Sequence, residues 1–238
     1  MRKTPAFLWL FCFSVLQLVD CLASTNAPTQ SALADLIKPE KQIPFKDVIE
    51  ATTHYRVLNF DTNNLAHVEL EQKILKAAAR AGERAVKDGL FAGRPNEAGN
   101  HMEPFVRSAL QEAGLTARVP VNSAGDAQVT GYPDIEITGP TPCYLELKTY
   151  NASTENTTQR SFYYSPSAHP KVTRDALHFL LAYQLEKVPH DGKTAYIPLH
   201  WKLITLQDLK VDLKWEFNQS NRGLYGAPQS VLAEEAVK

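Results

Sequence analysis

The sequence predicts an α/β fold of the α+β kind: a central mixed β-sheet flanked by helices, preceded by a helical N-terminal extension. Three observations predict it. Residues 65–87 and 97–113 carry apolar side chains at helical spacing. Residues 131–150 alternate apolar and polar side chains at the period of two that marks strands, with a break rich in proline and glycine between them. The expected order along residues 97–206, namely helix, three strands, helix and strand, suits helices packed on the faces of one sheet.

The first residues differ in kind from the rest. Arg2 and Lys3 precede an uncharged apolar run from Ala6 to Val19, followed by Asp20-Cys-Leu-Ala23 and small polar residues. This is the layout of a secretory signal peptide with cleavage after Ala23. The run is too short for a comfortable membrane span, and Asp20 before Cys21 fits a lipoprotein signal poorly. An uncleaved, anchoring N-terminus is the alternative. Export makes the mature chain secreted or periplasmic, with no membrane attachment. It also removes Cys12 and Cys21, so the remaining Cys143 has no partner for an internal disulfide.

Residues 24–95 read as the helical extension packing on the core, and residues 96–238 as the core itself. Residues 31–37 are weakly helical, and Pro39 and Pro44 break the chain before the next helix. That helix runs from Phe45 to His54, with Phe45, Val48 and Ile49 on its apolar side. Asn63 or Asn64 caps the strongest helix, 65–87, whose stripe is Leu70, Ile74, Ala77, Ala78 and Ala81. Its many alanines predict close packing on another helix. Asp88 to Pro95, with Gly89 and Gly93, ends it.

The next helix starts between Glu97 and Glu103 and stops at Gly114. Pro104 favours the later start, because proline is best tolerated in a first turn. Phe105, Val106, Ala109 and Leu110 turn inward. Thr116 to Asn122 is a strand and Ser123 to Asp126 its turn. After the hairpin, Asn151 to Arg160 is a polar loop. Lys171 to Lys187 reads as a helix, with Val172, Ala176, Phe179, Leu180 and Tyr183 in register. Tyr196 to Leu206 is a strand weakened at its start by Pro198, and Lys214 to Phe217 a short edge strand.

The hairpin carries the chemistry. Alternation puts Asp134 and Glu136 on one face of its first strand, and Tyr144, Glu146, Lys148 and Tyr150 on one face of its second. Cys143, Leu145, Leu147 and Thr149 take the opposite face, which makes Cys143 a core residue. Two carboxylates suit a hard cation such as Mg²⁺, which prefers oxygen ligands and keeps several waters. A lysine beside them can orient one of those waters or help deprotonate it.

Pro133-Asp134, eleven residues, then Glu146-Leu147-Lys148 resembles the PD-(D/E)xK nuclease superfamily, the restriction-endonuclease-like fold. The resemblance covers roughly residues 97–210. Ser161-Phe-Tyr-Tyr-Ser-Pro166 and Lys171-Val-Thr-Arg-Asp-Ala176 also look like sequence in some type II restriction endonucleases. The resemblance implies a Mg²⁺-dependent nuclease, with Mn²⁺ as a possible substitute, acting on nucleic acid and on DNA before RNA. It implies Asp134, Glu146 and Lys148 as catalytic residues. Asp134, Glu146 and the backbone carbonyl of Leu147 would hold the metal, with Glu103 joining them from the preceding helix.

Glu103 has a plainer reading as a solvated carboxylate near a helix N-terminus. Glu136 is either a second acid behind Asp134 or a polar residue on an exposed strand face. His101, two positions before Glu103, points elsewhere on a helix. Gln159, Arg160, Tyr163, Lys171 and Arg174, with Tyr150, form a candidate substrate wall. Arginine and lysine hold phosphate oxygens, and tyrosine stacks on bases. A homodimer suits double-strand cleavage.

Composition offers no electrostatic support for this reading. The whole chain has a formal net charge of −1, and loss of residues 1–23 leaves 23 basic and 25 acidic residues. Proteins that grip phosphates usually carry a basic excess, so positive charge must concentrate locally. Two other classes fit the residues. One is a secreted binding or structural domain in which Glu146 and Lys148 are a strand-face ion pair. The other is a metal-independent hydrolase, such as a glycosidase using Asp134 or Glu136 with Glu146.

Overall fold

A computed structural model describes residues 30–93, 95–216, 220 and 222. The signal-peptide reading of residues 1–23 lies outside the described residues. The chain divides between Lys38 and Pro39 into two units. The described part of the first is essentially helix α1, Gln30–Leu36. The chain from Pro39 onward belongs to the second.

That unit is built on a mixed six-stranded sheet. Its elements are β1 (Ile43–Pro44), α2 (Phe45–Thr53), β2 (Val57–Leu58), α3 (Leu65–Asp88), α4 (Pro95–Glu112), β3 (Thr116–Arg118), β4 (Ile135–Thr138), β5 (Cys143–Tyr150), β6 (Ala176–His190), β7 (Lys193–Thr205) and β8 (Lys210–Val211). The strand order is β2-β6-β5-β4-β3, with β7 on β6, while β1 and β8 form a separate pair. The pairs β3–β4, β4–β5 and β6–β7 are antiparallel, and β5–β6 and β2–β6 are parallel. The expected mixed sheet with flanking helices is what forms.

The two sheet faces have separate cores. Ile135, Ile137, Cys143, Leu145, Leu177, Phe179, Leu181 and Tyr183 pack beneath α3 and α4. The alanines Ala77, Ala78, Ala81 and Ala85 are buried, α3 packs on α4 as their number predicts, and on the sheet side Tyr183 of β6 donates to the Ala78 carbonyl at 2.8 Å. Asn64 caps α3 by accepting from the Ala66 amide. On the opposite face Tyr144, Ala176, Val172 and Tyr132 pack with Phe45 and Ile49 of α2. Each fully buried large aliphatic side chain contributes roughly 1.5–3 kcal/mol. The odd-numbered positions of β4 and β5 therefore anchor the hairpin, leaving the even-numbered positions of its far end to carry charge. Residues on both sides of the expected boundary at 95/96 contribute to the core beneath α3 and α4.

Several expectations are corrected. Residues 176–187 are strand rather than helix, within the 15-residue β6. This strand is central, so both its faces are buried and its apolar run is nearly continuous; within such a run helical spacing is met by coincidence. Helix α4 begins at Pro95 and runs through Pro104. Pro95 takes the first-turn position expected of Pro104, and Pro104 leaves the Asn100 carbonyl without its i+4 amide donor. Strand β3 is only three residues long, and the chain from Pro120 turns back on itself, with the Gln128 amide donating to the Pro120 carbonyl. Residues 214–216 form no strand, and Phe217 lies outside the described residues.

Candidate active site

The β4–β5 pairing runs Ile137↔Cys143, Glu136↔Tyr144, Ile135↔Leu145 and then stops. One step further in that register Asp134 comes opposite Glu146. The ladder's place is taken there by a side chain: the Leu147 amide donates to Asp134 Oδ2 at 2.7 Å. Lys148 Nζ donates to Glu146 Oε1 at 2.5 Å. Glu146 is buried, and among the described residues its Oε2 has no hydrogen-bond partner. The two carboxylates and the lysine therefore share the face and the end of the hairpin that the alternation predicts.

Burial raises the pKa of Asp134, against the opposing pull of the Leu147 amide and the charges of Lys148 and Lys171. Burial and then repulsion from Asp134 push Glu146 up to about 7. Lys171 is the site's second cation. Only 3% exposed, with no hydrogen-bond partner for its Nζ among the described residues, it feels the charges of Asp134, Glu146 and Glu103, and burial lowers its pKa. Two adjacent carboxylates, Glu146 buried with one free oxygen and Asp134 half-buried, beside the Leu147 carbonyl, form an oxygen-donor set that fits a small hard divalent cation. Among the described residues no cluster of three or more His, Cys, Asp or Glu groups forms a metal site.

Stability should depend on pH through this pair. Unfolded, Glu146 titrates near 4.5, and folded near 7. The metal-free native state therefore holds the extra proton in between, and stability is lost as pH rises through that window. The loss is roughly 3 kcal/mol for a shift of this size. Differential scanning fluorimetry of chelator-treated protein is expected to show Tm falling between about pH 5 and pH 8. Glu146→Gln is expected to flatten that slope.

Asp134 opens onto a cavity of about 610 Å³, with Glu146 buried behind it. Asp134, Leu147 and Lys148 line its floor, Asn100 and Glu103 one side, and Tyr150, Gln159, Arg160 and Tyr163 the other. Glu103 reaches the cavity but is ion-paired with Arg107 one turn along α4. Arg160 lies over the Tyr163 ring, 5.4 Å from its centroid, and pairs with Glu216 at 3.1 Å. Tyr163 is 57% exposed. Arg174 is not brought to this site: it contacts Glu136 at 3.1 Å, and Arg118 holds the same carboxylate at 2.9 Å. Glu136 is thus a buried ion-pair partner rather than a second acid behind Asp134. His101 is exposed, and burial raises the pKa of the Cys143 thiol, which suits a core residue.

Several neighbours of the site carry no recognisable sequence signal. Gly99 of α4 sits so close to β5 that a Cβ there would meet Thr149 Oγ1 at 3.0 Å, so this glycine seats the helix beside Lys148. Lys202 of β7 lies over the Tyr150 ring at 5.7 Å and pairs with Glu155 of the polar loop. These contacts join residues about fifty positions apart, which no local spacing announces. Pro104, by contrast, is visible in the sequence, and its missing amide marks Asn100 in the cavity wall.

Comparison with known proteins identifies the family. The family model described as type II restriction enzyme MjaV family matches residues 37–228. The chain is 33% identical over 213 residues to the type II restriction enzyme MjaV of Methanocaldococcus jannaschii, covering 82% of this chain and 90% of that protein. The crystal structure of the tetrameric restriction endonuclease SfiI bound to cognate DNA is a distant structural likeness. Its TM-score is 0.37 at 13% identity, over 63% of this chain and 67% of that one. A sequence match that runs through the helices and the sheet at this identity supports one assignment: the chain belongs to the MjaV family of type II restriction enzymes.

Proposed function

We propose that this protein is a divalent-cation-dependent endonuclease that hydrolyses phosphodiester bonds in duplex DNA. The observation that carries the reading is the meeting of Asp134, Glu146 and Lys148 at the end of the β4–β5 hairpin, where Asp134 and Lys148 line the cavity, in a chain of this family. Asp134, Glu146 and the Leu147 carbonyl hold Mg²⁺, or Mn²⁺ in its place. When bound, such a cation neutralises charge on the scissile phosphate and acidifies a coordinated water.

The chain's own residues do the rest. Lys148, held 2.5 Å from Glu146 Oε1, is the cation nearest the cavity floor and orients the attacking water. The Leu147 amide fixes the carboxylate of Asp134. Arg160, over Tyr163, and Lys202, over Tyr150, meet phosphate oxygens in place of their present partners Glu216 and Glu155. Glu103, paired with Arg107 at the cavity edge, would be a further oxygen ligand for the cation. A homodimer places one such centre on each strand of the duplex.

The test is cleavage of supercoiled plasmid by the protein with Mg²⁺, with Mn²⁺ and with EDTA. Discrete linear fragments with either cation, and none with EDTA, are expected. Cleavage that EDTA leaves unchanged would contradict the metal-dependent reading. We also propose export, from the layout of residues 1–23 alone. N-terminal sequencing of the protein from its native source is expected to begin at Ser24.

A further inference from the structure

We infer that the hydrogen-bonded pair Tyr132–His178 is a positioning device that ties the cavity wall at Arg160–Tyr163 to the carboxylate of Asp134. The inference rests on the nuclease reading of the same site.

Tyr132 stands two residues before Asp134. Its hydroxyl meets His178 Nδ1 at 2.6 Å, and the two rings stack at 5.9 Å with planes 19° apart. His178 is 1% exposed and lies on β6 directly opposite Tyr144 of β5. Tyr144 crosses the His178 ring at 5.2 Å and 65°. The next pair on that sheet face is Glu146↔Leu180. The Tyr132–His178 pair is thus the neighbouring step of the strands that carry the catalytic acid.

The same ring reaches the cavity wall. Phe162 and Tyr164 each meet Tyr132 edge-on at 5.8 Å, and both also pack on Phe45. They flank Tyr163, which faces the cavity. Thr52 of α2 bonds the Tyr164 hydroxyl at 2.6 Å, fixing that end. A third connection runs through Tyr144, whose hydroxyl accepts from the Thr173 amide at 2.9 Å, two residues beyond Lys171. Wall, acid and buried lysine are therefore anchored in one aromatic box.

Dispersion forces alone leave a ring free to slide. A short bond between two buried polar atoms fixes its position and rotation, and makes any displacement costly. His178 is suited to this, because burial lowers its pKa to about 3 and keeps it neutral. Catalytic groups need such support: a misplacement of about 1 Å costs about a hundredfold in rate.

Two variants of the full chain test the inference. Tyr132→Phe removes the hydroxyl and keeps the ring. Tyr132→Phe combined with His178→Leu removes both polar partners, which leaves no buried group newly unpaired. Each is measured for kcat and KM on a plasmid that the wild type cleaves, for Tm, and for hydrogen exchange of the Leu147 amide without metal. That amide reports directly on Asp134, its acceptor.

In both variants kcat is expected to fall about tenfold or more, with KM within about twofold. Leu147 exchange is expected to rise about tenfold while the amides of Ile74 and Leu110 stay protected. Unchanged kcat or unchanged Leu147 exchange overturns the inference. So does a general loss of protection, which assigns the pair to stability alone. A wild type that cleaves no DNA overturns the nuclease reading and this inference with it. Equal cleavage by wild type and Tyr132→Phe overturns this inference only.

Discussion

Lys148→Ala is expected to lower the rate of DNA cleavage by about 10²–10⁴-fold while changing KM by no more than about threefold. The lysine sits on the cavity floor with Nζ on Glu146 Oε1. It acts where charge develops rather than where most of the duplex is held. The loss of one cation weakens phosphate binding only modestly, because Arg160 also lines the cleft and Glu146 already offsets the charge of Lys148. Lys148→Arg is expected to stay near the alanine variant. A guanidinium is planar, carries its charge over three nitrogens and does not give up a proton near neutral pH. Single-turnover rates on a cleaved plasmid check both. Weaker DNA binding with kcat intact would instead make Lys148 a simple phosphate contact.

Asp134→Asn is expected to abolish cleavage and, at the same time, to stabilise the metal-free protein. The activity loss is about a thousandfold or more, because a charged cation ligand at the centre of the site disappears. The gain in stability has a separate cause. Glu146 is raised to about 7 partly by the charge of Asp134, so neutralising that charge relieves a repulsion between buried groups. Asparagine keeps an oxygen to accept from the Leu147 amide, so the backbone bond survives. A rise of about 1 kcal/mol, a few degrees in Tm near neutral pH, is the expected size. Calorimetric titration with Mn²⁺ should show binding by the wild type and none by the variant. A variant that is less stable than the wild type near neutral pH would mean that the charge of Asp134 is favourable in the apo fold.

The hairpin is legible in the sequence because its period is two and one face is buried. Ile135, Ile137, Leu145 and Leu147 announce the covered side, and by difference Asp134, Glu146 and Lys148 take the other. Strand β6 is not legible for the converse reason. From Ala176 to Leu185 it is largely buried on both faces, and a continuous apolar run satisfies helical spacing as readily as strand spacing. The difference matters at the site. A helix would carry Lys171 and Arg174 on one side, three residues apart. In the extended chain they part: Lys171 joins the field of Asp134 and Glu146, and Arg174 goes to Glu136.

Other features depend on contacts between distant residues. In sequence Tyr132 is an ordinary residue before a proline, and His178 one position in an apolar run. Their bond exists only because β4 and β6 flank β5 in the same sheet. Glu103 lines the cavity as its position in the helix suggests, and its pairing with Arg107 is of the i,i+4 kind that helical spacing favours. Overall charge is misleading as well. The chain is nearly neutral, yet Lys148 and Arg160 line one cleft, each paired with a carboxylate, Glu146 and Glu216.

The most direct test of the central claim sequences the DNA ends left by the wild type, Asp134→Asn and Lys148→Ala on one plasmid with Mg²⁺. Wild-type ends that all map to the same short sequence, with none above background from either variant, are the expected result. Ends produced at the same positions and rates by the two variants would contradict it, and would move the cleaving centre away from the β4–β5 hairpin.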